Sequence, residues 1–200
     1  CFLRFVRDQG LTTKTEIKLE TNTGQITCKL EKDGNIRVDM GRPILQPAKI
    51  PFLADAPQIC YELQIDTPSC RKTVTLSAVS VGNPHAVLTV ENVLTAPVTQ
   101  LGELIETHAR FPQRVNVGFM EIVSRQKIKL RVFERGVGET SACGTGACAA
   151  VVAGRLQGLL NDEVEVELRG GSLTINWSGD DSNITMTGPA KRVYEGKVQI

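Results

Sequence analysis

The 200-residue sequence has almost no excess charge: 23 basic against 22 acidic residues leave a formal +1, and no basic run extends beyond a few residues. That balance removes the electrostatic footprint by which a chain grips nucleic acid or an anionic membrane, and neither partner is expected. Also missing are the roughly twenty consecutive apolar residues of a membrane-spanning helix and the h-region of a secretory signal. No Cys-x-x-Cys pair occurs, and with only His85 and His108 as imidazoles a zinc centre is poorly supplied, so no metal is expected. The six cysteines, Cys1, Cys28, Cys60, Cys70, Cys143 and Cys148, are too sparse for a disulfide-stapled secreted scaffold; reduced thiols in a cytoplasmic protein are expected instead. The sequence also lacks an initiator methionine. It opens Cys1 Phe2 Leu3 Arg4 Phe5 Val6, which reads as the last turns of an amphipathic helix closing on Gly10 without an N-terminal cap, and suggests a truncated or processed chain. What is present, 41% hydrophobic and 22% charged residues, suits a globular chain of one large or two small domains and excludes disorder, collagen and coiled coil.

Alternation at 16–20 and 25–30 brackets Asn22 Thr23 Gly24, a hairpin signal, and a third strand runs through Ile36, Val38 and Met40. Further strands are expected at 73–80, 86–91, 117–124, 127–134, 163–168, 172–177 and 183–187, and helices at 97–109 and 144–157. The fold class is α+β, dominated by antiparallel strands. A repeat sharpens this. The opening helix, Gly10 Leu11, Glu16 to Glu20, Gly24 and Met40 Gly41 Arg42 Pro43 recur as a helix from Cys148, Gly158 Leu159, Glu165 to Leu168, Gly171 and Met186 Thr187 Gly188 Pro189. Two homologous, pseudo-symmetric domains are expected, each a mostly antiparallel sheet or barrel around a central helix, with a small-molecule cleft between them. Residues 1–44, completed by 189–200, would form one, and 45–188, with the Cys143 loop, the other.

Four stretches carry candidate chemistry. Cys143 Gly144 Thr145 Gly146 Ala147 Cys148 places a thiol where glycines open a small-residue helix, so free amides and the positive dipole end converge on it. Such a helix start binds a carboxylate or phosphate and lowers the pKa of an adjacent thiol, and the glycines leave room for a ligand at the backbone. A buried structural cysteine before a turn is an equally good reading of the motif alone. In Phe133 Glu134 Arg135 Gly136 Val137 Gly138 Glu139 Thr140, an ammonium acceptor and a guanidinium fork end one strand, although a surface ion pair is the plainer reading. Gly82 Asn83 Pro84 His85 is a turn whose His more often serves the turn than catalysis. His108, in a charged helix end, reads as surface. In Arg114 Val115 Asn116 Val117, an Asn enters a strand that disfavours it, which points to a specific partner for its amide.

With these residues the sequence resembles the diaminopimelate epimerase family of cofactor-independent amino-acid racemases, and the match runs the length of the chain. The resemblance implies inversion at an α-carbon without pyridoxal phosphate or any other cofactor, one thiolate removing the proton and a thiol on the opposite face returning one. By position, Cys143 is one of the two thiols, Gly144 and Thr145 offer amides to the reacting α-carboxylate, and Glu134 holds the α-ammonium. His85 assists near the thiol, while Asn83, Asn116 and Arg135 read the distal end of diaminopimelate. Tyr194 resembles a contact of the family homodimer. The family's other catalytic cysteine lies in a Cys-Gly-Asn-Gly-x-Arg motif that would end just before Cys1 and is absent from these residues, so the chain by itself is expected to be inactive. Cys1 and Cys148 match the structural cysteines of the two halves. A proline-racemase-like isomerase of the same fold and a non-catalytic amino-acid-binding protein are the alternatives; a thiol-redox protein is weaker, because Cys143 and Cys148 lie outside Cys-x-x-Cys geometry.

Overall fold

Alternating apolar residues build most of this molecule, a computed structural model that describes residues 1–21, 24–67, 70–179 and 181–197. Twelve strands form: β1 (Glu16–Thr21), β2 (Gly24–Leu30), β3 (Ile36–Asp39), β4 (Tyr61–Asp66), β5 (Arg71–Ser80), β6 (Pro84–Thr89), β7 (Asn116–Ser124), β8 (Lys127–Glu134), β9 (Gly138–Thr140), β10 (Glu163–Leu168), β11 (Gly171–Asn176) and β12 (Thr185–Gly188). Among the described residues three α-helices accompany them, α1 (Phe2–Asp8), α2 (Val98–Glu106) and α3 (Gly144–Leu156). The strands lie in the order β1-β2-β3-β12-β11-β10-β8-β7-β6-β5-β4, with β9 paired to β8. Most pairs are antiparallel, as expected. Two are parallel, β6 with β7 and β8 with β10, because α2 and α3 return the chain across the sheet between them.

The period of two sends alternate side chains of the central strands to opposite cores. Val87, Met120, Ile128, Leu130 and Val132 face α3, whereas Ala86, Leu88, Val117, Phe119 and Phe133 face α2. Helix α3 is buried all round: every residue from Ala147 to Ala153 is 0% exposed. Only small side chains permit such a position. A Cβ at Gly154 would stand 2.4 Å from Leu160, and one at Gly102 in α2 would stand 2.5 Å from the Phe133 ring. Each helix thus touches its neighbours at backbone distance.

The repeat is visible in the pairing. Hairpin β1–β2 followed by β3 matches hairpin β10–β11 followed by β12, and β3 pairs antiparallel with β12. Matching Met40 to Met186 makes Asp39 equivalent to Thr185, and these two residues are also cross-strand partners. A twofold relation between the halves therefore passes through that pair. Helix α1 packs on a small cluster of Leu3, Cys28 and Ile36, to which Ala190 adds.

The structure departs from the sequence expectation in several places. Strand β4 was not anticipated, although Tyr61, Leu63 and Ile65 alternate into the core. The 3-10 turn at Pro47–Lys49 and the short β9 also emerge only in the structure. The expected strand 86–91 starts earlier, at Pro84, a first-strand position where a missing N–H is tolerated. His85 therefore stands in a strand rather than in a turn. Of the Asn22 Thr23 Gly24 hairpin signal, Asn22 and Thr23 lie outside the described residues.

Candidate active site

The strand register gathers the candidate residues at one end of the sheet. His85 in β6 pairs with Asn116 at the start of the parallel β7. Strand β8 runs back alongside β7 with Val117 opposite Phe133, which brings Glu134 to the same end. From there the chain turns through β9 into Cys143, the N-cap residue of α3.

Cys143 is 7% exposed, and its Sγ lies 3.6 Å from Thr145 Oγ1. Thr145 Oγ1 in turn lies 3.1 Å from His85 Nε2, and that nitrogen is 3.0 Å from Asn83 Oδ1. A continuous polar path thus joins the thiol to Asn83. His85 is fully buried, and burial, followed by the Arg135 charge, pushes its pKa down to about 3. It is a neutral imidazole at physiological pH. Its Nδ1 is buried without a hydrogen-bond partner among the described residues. A bare lone pair there costs less than an orphaned N–H, so the proton belongs on Nε2, shared between Asn83 Oδ1 and Thr145 Oγ1. The Thr145 hydroxyl hydrogen is then free to point at the sulfur.

The thiol differs from the sequence expectation. Burial pushes the Cys143 thiol above its ordinary value and outweighs the hydrogen bonds from Thr145 and the Gly146 N–H that pull it down; Glu134 raises it further. The helix start is real, but desolvation of the charged sulfur wins. Cys148, buried on the same helix and pushed up to about 12, is inert. Cys1, Cys28, Cys60, Cys143 and Cys148 are free thiols.

The glycines also make room for the fold itself. A Cβ at Gly146 would come within 3.1 Å of Val132 and 3.2 Å of the Cys143 sulfur, and one at Gly144 within 3.0 Å of Met186 Sδ. They admit β8, β12 and the thiol itself to the helix backbone. Glu134, at the end of β8, accepts a hydrogen bond from Thr140 Oγ1. Arg135 is exposed and donates from Nη1 to Gln113 O at 3.0 Å, so it forms no pair with its neighbour Glu134. Asn116 is 4% exposed; it donates to Pro84 O at 2.8 Å and accepts from the Arg135 N–H at 3.0 Å. The specific partner that its strand position suggested is the backbone of the two flanking turns. Tyr194 is 85% exposed and lies far along the chain from this group.

Sequence reading missed the supports around the site. Arg131 holds Glu139 with both nitrogens at 2.7 and 2.8 Å, Arg169 adds a third contact at 2.9 Å, and Arg131 Nη1 donates to Val93 O at 2.6 Å. Together with Gly170 N donating to Ser141 O at 2.7 Å, this pins the approach to Cys143. Lone charges in alternating strands give no sign of such a knot. His108, read as surface, is half-buried; it donates to Gln64 O and accepts from the Arg110 N–H. Among the described residues no His, Cys, Asp and Glu cluster could hold a metal ion, and no helix is long and apolar enough to cross a membrane.

Comparison with known proteins places the chain in a family. The diaminopimelate epimerase profile matches residues 77–193, which include Asn83, His85, Asn116, Glu134 and Cys143. The diaminopimelate epimerase of Thioalkalivibrio sulfidiphilus is 55% identical over 201 residues, spanning 100% of this chain and 71% of that protein. A solved hydroxyproline epimerase from Agrobacterium vitis superposes with a TM-score of 0.68 at 17% identity, covering 94% of this chain and 62% of that one. A phenazine biosynthesis protein of the PhzF family from Bacillus anthracis gives 0.68 at 16% identity, covering 99% and 73%. These two share the fold. The chain belongs to the diaminopimelate epimerase family.

Proposed function

We propose, on the premise of that membership, that Cys143 is one of two bases in a cofactor-independent inversion of LL-2,6-diaminopimelate to meso-diaminopimelate. The observation that carries the reading is the polar path from Cys143 through Thr145 and the fully buried His85 to Asn83, set beside Glu134 at the start of α3.

The substrate's α-carboxylate takes the amides of Gly144 and Thr145 at the start of α3, where the dipole favours an anion. Its α-ammonium lies against Glu134. That contact offsets the carboxylate that raises the thiol and leaves the Thr145 and Gly146 donors to pull it down. The Thr145 hydroxyl, held by neutral His85, then stabilises the thiolate as it forms. Cys143 gives or takes the α-proton on one face. A thiol on the other face does the reverse, so the configuration inverts and one proton is exchanged per turnover. Asn83, Asn116 and Arg135 recognise the distal amino-acid end. The second thiol belongs to a Cys-Gly-Asn-Gly-x-Arg segment that these 200 residues do not contain. By themselves they exchange no α-proton at a native rate. The same reading sets the protein in the cytoplasm, as a homodimer with Tyr194 at its contact, serving lysine and peptidoglycan precursor synthesis.

The test is turnover of LL-diaminopimelate by the protein with both thiols present. Cys143→Ala is expected to lower kcat by at least about a thousandfold, the scale on which a reacting group acts. Turnover of proline or hydroxyproline in place of diaminopimelate would contradict the substrate, and full activity in Cys143→Ala would contradict the base.

A further inference from the structure

Glu106 is a carboxylate in the wrong place by ordinary rules. It is the last residue of α2, where the helix dipole disfavours an anion, and it is only 5% exposed. Its Oε1 accepts from the Gly136 N–H at 2.7 Å and meets Arg114 Nη1 at 3.4 Å. Gly136 sits at φ +75° in the turn that follows Glu134 and Arg135, and Arg114 is itself left-handed at φ +59°. The other amides of that turn are also held, Arg135 N–H by Asn116 and Val137 N–H by Glu134 O. One helical turn earlier, Gly102 brings α2 against the Phe133 ring, immediately before Glu134. Helix α2 therefore grips β8 on both sides of the Glu134–Arg135 pair, by packing at Phe133 and by a charge-assisted hydrogen bond at Gly136.

We infer that Glu106 is a positioning residue for substrate binding: it fixes the turn that aims Glu134 and Arg135, and acts on diaminopimelate through them. This rests on the proposed roles of those two residues. A group that only filled space would be apolar here, since a buried carboxylate at a helix C-terminus costs stability unless its partner is worth holding.

The variants separate acceptor from charge. Glu106→Asp keeps the charge beside Arg114 but withdraws the oxygen by one methylene, while Glu106→Gln keeps an acceptor at the same reach. In the protein with both thiols, Glu106→Asp and Glu106→Ala are expected to raise KM for diaminopimelate about tenfold, as for the loss of one hydrogen bond to a charged group, with kcat changed less than about threefold. Glu106→Gln is expected to stay within about threefold of the wild type in KM. A purely structural role would lower the melting temperature and leave KM unchanged, and that result in Glu106→Asp would overturn the inference. Hydrogen exchange at Gly136 reads the anchor without substrate: it is expected to quicken about tenfold in Glu106→Asp, and an unchanged rate would overturn the inference even in an active enzyme. Absence of diaminopimelate turnover in the wild type would instead overturn the reading of the site, leaving exchange to judge the anchor.

Discussion

The two helices that open the repeated units, α1 and α3, follow the same sequence plan and end in different surroundings. Helix α1 buries Leu3 and leaves Phe2 and Phe5 53% and 56% exposed, packed on a small cluster from β1–β3 and Ala190. Helix α3 buries nine residues, because β5 to β8 and β11 enclose it. The repeat therefore places a helix in each half, but the chemistry around Cys143 comes from outside the repeated unit. Thr145 is on α3, whereas His85, Asn116 and Glu134 arrive on β6, β7 and β8. Burial also reverses what a helix start alone would do to the thiol, raising it when the dipole and amides would lower it.

The difference can be sharpened by changes of graded size. In α3, Val151→Ala removes two methyl-scale groups from a site that is 0% exposed, and is expected to cost roughly 2 kcal/mol in denaturant unfolding. A loss below about 0.5 kcal/mol would mean that α3 is less enclosed than described. Acid should separate the regions next. His85 has a depressed folded pKa of about 3, so below the unfolded value near 6.5 the unfolded chain binds the proton first. Stability is thus whole above about pH 6.5 and falls toward pH 3, by up to about 1.4 kcal/mol per pH unit from this group. Glu139, held low by Arg131 and then Arg169, adds a loss as pH falls through its depressed folded value. His85→Gln should flatten the profile between those limits relative to the wild type, and parallel profiles would contradict a buried neutral imidazole. The smallest effect is expected in α1, where Phe5→Ala at an exposed position should change unfolding by less than about 0.5 kcal/mol.

Much of this was legible in the sequence, because the signals were periodic or local. Alternation marked most strands, the small-residue run from Gly144 marked α3, and the ordered motifs pointed to the family before any coordinates. Strand β4 was legible too, in the alternation of Tyr61, Leu63 and Ile65 with Glu62 and Gln64, and was not anticipated. The rest depends on contacts between distant residues. Glu106 reaches Gly136 across 30 positions, and Arg131 reaches Val93 across 38. No spacing rule links such pairs. The direction of the Cys143 shift was hidden for the same reason, since a motif shows the helix start and not the β-strands that desolvate it.

Deuterium incorporation at the α-carbon of LL-diaminopimelate in heavy water tests the central claim most directly, in the protein with both thiols, before and after alkylation of Cys143 confirmed by peptide mass. The account predicts one α-deuteron per inverted centre in the unmodified protein, and incorporation reduced to background once Cys143 is alkylated. Undiminished incorporation with Cys143 fully alkylated would contradict it.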